Sequence, residues 1–227
     1  MYPDYSKISN FKLKDNQNDN LQSFFRFMQG ELEQLKNYTW NNIKQNDTLD
    51  YKTNFIYSTY NYNNLLEKIE NSNLTAIEAD YAKARWFNFH TAKVVELIFS
   101  TSPLVKANKN QYDKLTDFSI NSIKFDHKNS VFPAKFPYSL QDAIANKSLL
   151  IEWLYKNQSG QGRYHLGNRL FIIFYNSEDG KHWKLKANIL LIENYIKDYL
   201  KNFDYNNLVK IFINGKSILS DIIFIKK

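Results

Sequence analysis

The sequence contains no cysteine. Disulfides and thiolate metal sites are therefore excluded, and a reducing compartment, the cytoplasm, is the expected location. Glycine and proline are scarce, six and four among 227 residues, which rules out a collagen-like or linker-rich chain. No apolar run reaches the roughly 18 residues of a membrane-spanning helix. The opening "MYPDYSKISNFKLKD" lacks the apolar stretch of a secretory signal, so no membrane partner is expected. Three site signatures are also missing. His90, His127, His165 and His182 form no H-x-x-x-H pair, which disfavours a zinc site. No G-x-S-x-G frames a serine nucleophile, and no G-x-x-x-x-G-K-[ST] marks a phosphate loop.

Apolar residues make up 43% of the chain and aromatics 16%, enough for a real core. The formal charge of +7 and pI near 9.2 suit a polyanionic partner. The abundance of Lys, Asn, Ile, Tyr and Phe is also what AT-rich coding alone produces, so charge by itself does not decide the point.

Periodicity divides the chain into elements. "DNLQSFFRFMQGELEQLKNYTWNNIKQ" (19–45) repeats Leu21, Phe24, Phe25, Met28, Leu32 and Leu35 at helical spacing, which predicts a core helix. Residues 46–73 are rich in Asn and Tyr and read as irregular, with a short helix at "NYNNLLEKIEN". The segment 74–100 is the longest helical stretch, with Thr75 and Glu78 spaced as a capping box. "LTDFSI" and "IKFDHK" alternate with period two, as strands do. Residues 139–157 read as a helix and "NRLFIIFYN" as a buried strand. "KHWKLKANILLIENYIKDYLKNF" reads as a helix, and "LVKIFING" and "KSILSDIIFIKK" as strands. The expected fold class is α/β, or α+β with a mixed sheet. Residues 1–73 are expected to form an N-terminal helical extension packed on a core domain of residues 74–227.

The stretch "DFSINSIKFDHK" (117–128) carries the chemistry. A turn at Asn121-Ser122 pairs Ile120 with Ile123, Phe118 with Phe125 and Asp117 with Asp126. Alternation places Phe118, Ile120, Ile123 and Phe125 on an apolar face, where His127 reads as a structural residue. Asp117, Ser119, Lys124, Asp126 and Lys128 share the polar face. Opposed carboxylates about 5 Å apart at Cβ repel. A divalent cation removes that cost, and carboxylate oxygens are what Mg²⁺ prefers. Removing one repelling acid should then stabilise the metal-free protein. The plainer alternative is a solvated face neutralised by Lys124 and Lys128.

These residues, in an order of helix, strand meander, helix and strand, resemble the PD-(D/E)XK nuclease superfamily over roughly residues 75–175. Thr116 stands where the family name has proline. The resemblance implies a restriction-endonuclease-like core, with a C-terminal helix and strands added here. Asp117 and Asp126 match the family's acidic Mg²⁺ ligands, and Lys128 matches its water-orienting lysine. Glu96, in the apolar setting "KVVELIF", matches the acid that many members add from the first core helix. Asp113 is an alternative first ligand. The implied activity is Mg²⁺-dependent endonucleolytic cleavage of DNA, with Mn²⁺ able to substitute, by a chain that could act as a homodimer. Lys124 and the basic, aromatic loop "YKNQSGQGRYHLGNR", through Lys156, Arg163, His165 and Arg169, suit contact with a nucleic-acid backbone. The rival reading is a non-catalytic nucleic-acid-binding or assembly module on the same fold.

Overall fold

A computed structural model describes residues 17–40, 46–108, 110, 113, 115–157 and 167–227. The chain divides into two compact units. One comprises residues 1–95 with 186–190, the other residues 96–185 with 191–227. The division falls inside a helix, and the boundary expected at residue 73 lies within the first unit.

In the first unit, α1 spans Gln17–Glu33 and buries Phe24, Phe25, Met28 and Leu32, the apolar stripe that the spacing predicts. The helix stops well short of residue 45. Beyond Leu35 the apolar repeat ends, and the last bonds tighten to the i−3 pattern, Leu35 N–H donating to the Leu32 carbonyl at 3.1 Å. The Asn-rich stretch is more regular than expected, because its asparagines act as caps. Asn46 accepts from the Thr48 and Leu49 N–H groups to start α2 (Asp47–Lys52), and Asn61 accepts from Asn64 N–H to start α3 (Tyr62–Glu70). The long helix α4 (Ala76–Ser100) opens with the anticipated capping box. Thr75 Oγ1 accepts from Glu78 N–H, and the Glu78 carboxylate accepts from Thr75 N–H at 2.9 Å.

The second unit is built on a six-stranded mixed sheet in the order β1–β2–β3–β4–β6–β5. The strands are β1 (Val105–Ala107), β2 (Phe118–Ile120), β3 (Ile123–Val131), β4 (Arg169–Tyr175), β5 (Val209–Ile213) and β6 (Lys216–Lys226). β1, β2 and β3 form an antiparallel meander. β4 runs parallel to both β3 and β6, and β5 is antiparallel to β6. β4 lies inside the sheet with parallel neighbours, so its sequence is a continuous apolar run rather than an alternation. Residues 139–157 form two helices, α5 (Leu140–Ala145) and α6 (Lys147–Lys156). The break is at Asn146, whose non-helical backbone ends α5 while its side chain caps α6 by accepting from Ser148 N–H. Leu150, Ile151 and Leu154 of α6 pack in one cluster with Phe171, Ile173, Ile218 and Ile222 of the sheet. The final helix, α7, is Ile189–Lys201, preceded by a 3-10 segment at His182–Ala187.

The β2–β3 hairpin sets the site. Asn121 and Ser122 both have positive φ, 46° and 71°, as a primed two-residue turn requires. The register pairs Ile120 with Ile123 and Phe118 with Phe125, as predicted. Beyond Phe118 the regular pattern stops. Asp117 N–H donates to the carbonyl of Phe125 at 2.9 Å, so Asp117 and Phe118 are both set against one residue of the other arm. That is the arrangement of a bulge, which re-aims a side chain.

Candidate metal centre

Because of that bulge, the Asp117 carboxylate turns to His127 rather than lying beside Asp126. Asp117 Oδ2 accepts the His127 backbone N–H at 2.8 Å, taking the place of a ladder carbonyl. It also lies 2.8 Å from His127 Nδ1. The His127 ring is buried and stacks on Phe118 with 5.9 Å between ring centres, and Phe118 stacks on Phe99 of α4 at 4.5 Å. One helical turn before Phe99, Glu96 brings a second carboxylate, and this one is buried. One ligand atom from each of Glu96, Asp117 and His127 lies within 4.8 Å of the others. Ligands on opposite sides of a single ion at about 2.1 Å stand roughly 4.2 Å apart. A small inward shift therefore suffices for the three to share an ion.

Electrostatics favour the charged form of Asp117. Burial pushes its carboxyl up, but the His127 side-chain hydrogen bond, the imidazole's charge, the His127 N–H and nearby Lys128 outweigh it and hold the group at about 2. The carboxylate is thus available as a ligand throughout the neutral range.

Asp126 is engaged elsewhere. Its Oδ1 accepts from Lys128 Nζ at 2.7 Å and its Oδ2 from Arg169 Nε at 3.1 Å. Lys128 follows it on the same face of β3 and is half-exposed. Arg169 is only 4% exposed and sits over the Tyr155 ring at 5.3 Å. The expected cross-strand pair of Asp117 and Asp126 is therefore replaced by two separate pairs. Asp113, the alternative ligand, organises its own loop, accepting from Asn108 Nδ2 and Leu115 N–H at 2.9 Å each.

The basic residues scatter. Lys124 is exposed on β3 and lines a cavity of about 430 Å³ with Lys106, Asn108 and Ser119. Lys156 is exposed at the end of α6 and pairs loosely with Glu152 at 3.5 Å. Arg169, expected to meet nucleic acid, faces inward to Asp126 instead, because the register of β3 with β4 sets these two residues side by side. Arg163 and His165 lie outside the described residues.

The sequence reading gives two residues of interest, His127 and Asn129, no part in the site. Alternation sets His127 on the apolar face, and that face reads as core. Asn129, two residues further along the same face, has amide oxygen and nitrogen atoms shielded from solvent with no partner among the described residues. A polar residue at an inward strand position is the signal that marks it.

Comparisons with family models, curated proteins and solved structures found no match to the chain. No helix among the described residues is long and apolar enough to cross a membrane.

Proposed function

We propose that the chain is a divalent-metal-dependent nuclease that hydrolyses phosphodiester bonds in DNA. One observation carries the reading: Glu96, buried, and Asp117, half-buried, bring carboxylates from separate elements together with His127 within the reach of one ion. A bound divalent ion lowers the pKa of a coordinated water and offsets charge on a phosphate. In this reading Glu96 and Asp117 hold the ion. Lys128 orients the attacking water and meets the charge that develops on the phosphate. Asp126 is given the role of a positioning residue, since its ion pair fixes the Lys128 ammonium. Lys124 and Lys156 are exposed and can follow a phosphate backbone. The order of α4, the β1–β2–β3 meander, α5–α6 and parallel β4 supports a restriction-endonuclease-like arrangement.

A non-catalytic module that binds nucleic acid is the second reading. What favours it is that Asp117 and Asp126 each already have a protein partner. Plasmid incubated with the full chain and Mg²⁺, Mn²⁺ or EDTA separates the two. The nuclease reading expects nicking or linearisation with metal, none in EDTA, and a loss of about 100-fold or more in Lys128→Ala. Metal-independent cutting, or a fully active Lys128→Ala, overturns it. Retention of DNA without cutting under any condition supports the module.

A further inference from the structure

We infer that Glu96, Asp117 and His127 form a mixed nitrogen–oxygen site that takes a first-row transition dication in preference to Mg²⁺. This deepens the nuclease reading by naming the class of ion. It rests on that reading for the purpose of the site, while the binding itself follows from the three side chains.

The donor set is the first argument. Mg²⁺ takes oxygen ligands and holds its waters. An imidazole nitrogen suits Mn²⁺ and the later first-row ions, whose affinities for such sites rise along the series. The second argument is the presentation of His127. Its ring is buried, stacked on Phe118 and aimed at the Asp117 carboxylate, so it meets whatever that carboxylate meets. The third argument is Asn129. It stands two residues along the same face of β3, and its shielded amide has no partner among the described residues. A shielded amide without a partner is costly, and a water carried in with an ion is one group that could satisfy it. Two carboxylates against one imidazole also give the cluster the anionic character a dication needs.

The test uses the full chain stripped with EDTA and titrated with MnCl₂, free Mn²⁺ being read from its EPR signal. Mg²⁺ affinity is obtained by competition. The expected result is one Mn²⁺ per chain, bound at least about tenfold more tightly than Mg²⁺. His127→Gln should weaken Mn²⁺ by roughly 10–100-fold and shift Mg²⁺ little. His127 also anchors Asp117, so the wild-type complex supplies a second readout that needs no variant. Pulsed EPR of the bound Mn²⁺ should show hyperfine coupling to an imidazole nitrogen. Equal affinities for the two ions, no binding, or bound Mn²⁺ without nitrogen coupling overturns the inference. Nitrogen-coupled Mn²⁺ on a chain that cuts no DNA removes the nuclease reading and leaves the site standing. Cutting supported equally by Mg²⁺, without nitrogen coupling, does the reverse.

Discussion

Asp117 and His127 are joined twice, one carboxylate oxygen of Asp117 lying 2.8 Å from both the backbone nitrogen and Nδ1 of His127. The contact ends the β2–β3 ladder and holds a carboxylate beside an imidazole on the face of the sheet that Phe118 and Phe125 share. It also fixes how the protein responds to acid. The Asp117 carboxyl is lowered from 3.8 to about 2. A depressed carboxyl contributes stability that is fully present above its unfolded value and is lost as pH falls through its folded value.

The stability difference between wild type and Asp117→Asn should therefore be constant above about pH 5 and shrink between roughly pH 4 and 2. The expected difference at pH 7 is on the order of 1–2 kcal/mol, since the carboxylate is partly exposed and its charge partly screened. Urea unfolding at a series of pH values measures it. A difference that does not change with pH would show that the pairing contributes nothing through charge.

The buried pair of Asp126 and Arg169 reverses one expectation drawn from the sequence. Two repelling acids would make removal of Asp126 stabilising. With Arg169 nearly inaccessible, Asp126→Ala instead leaves a buried guanidinium without its carboxylate, at a cost of about 3–5 kcal/mol. Arg169→Met should cost a similar amount. The double variant Asp126→Ala with Arg169→Met should recover much of the loss, because no buried charge is then left unpaired. Denaturant midpoints of the single and double variants decide the matter, and strict additivity would contradict the pairing.

At the hairpin turn, Ser122 holds φ at 71°, a region that favours glycine. Ser122→Gly should stabilise the protein by roughly 0.5–1 kcal/mol by relieving that strain. The turn faces solvent and Ser122 is exposed, so no packing is lost. A lower melting temperature in this variant would show that the turn is not of the primed type.

Much of this architecture is legible in the residues. Alternation around Asn121-Ser122 specifies the hairpin register, because a slip of one residue would expose Phe118 and Phe125. The run "LFIIF" announces a strand buried on both faces, and Thr75 with Glu78 announces the start of α4. What is not legible is the bulge at Asp117. It depends on an N–H choosing the Phe125 carbonyl over a regular partner, and no local pattern encodes that choice. The consequence is large, since it moves one carboxylate from Asp126 to His127. The burial of Arg169 was hidden for a related reason. It opens β4 directly after a polar loop, and only the pairing of β4 with β3 shows that it faces Asp126. The split at Asn146 was equally invisible to periodicity, because α5 and α6 bury residues at compatible spacing on either side of the cap.

Crystals of the full chain soaked in MnCl₂, with data collected at the manganese absorption edge, test the central claim most directly. The account predicts an anomalous peak about 2.0–2.3 Å from an oxygen of Glu96, an oxygen of Asp117 and a ring nitrogen of His127, with Asp126 still paired to Arg169. A peak bound by Asp126 in place of His127, or no peak among these residues, would contradict it.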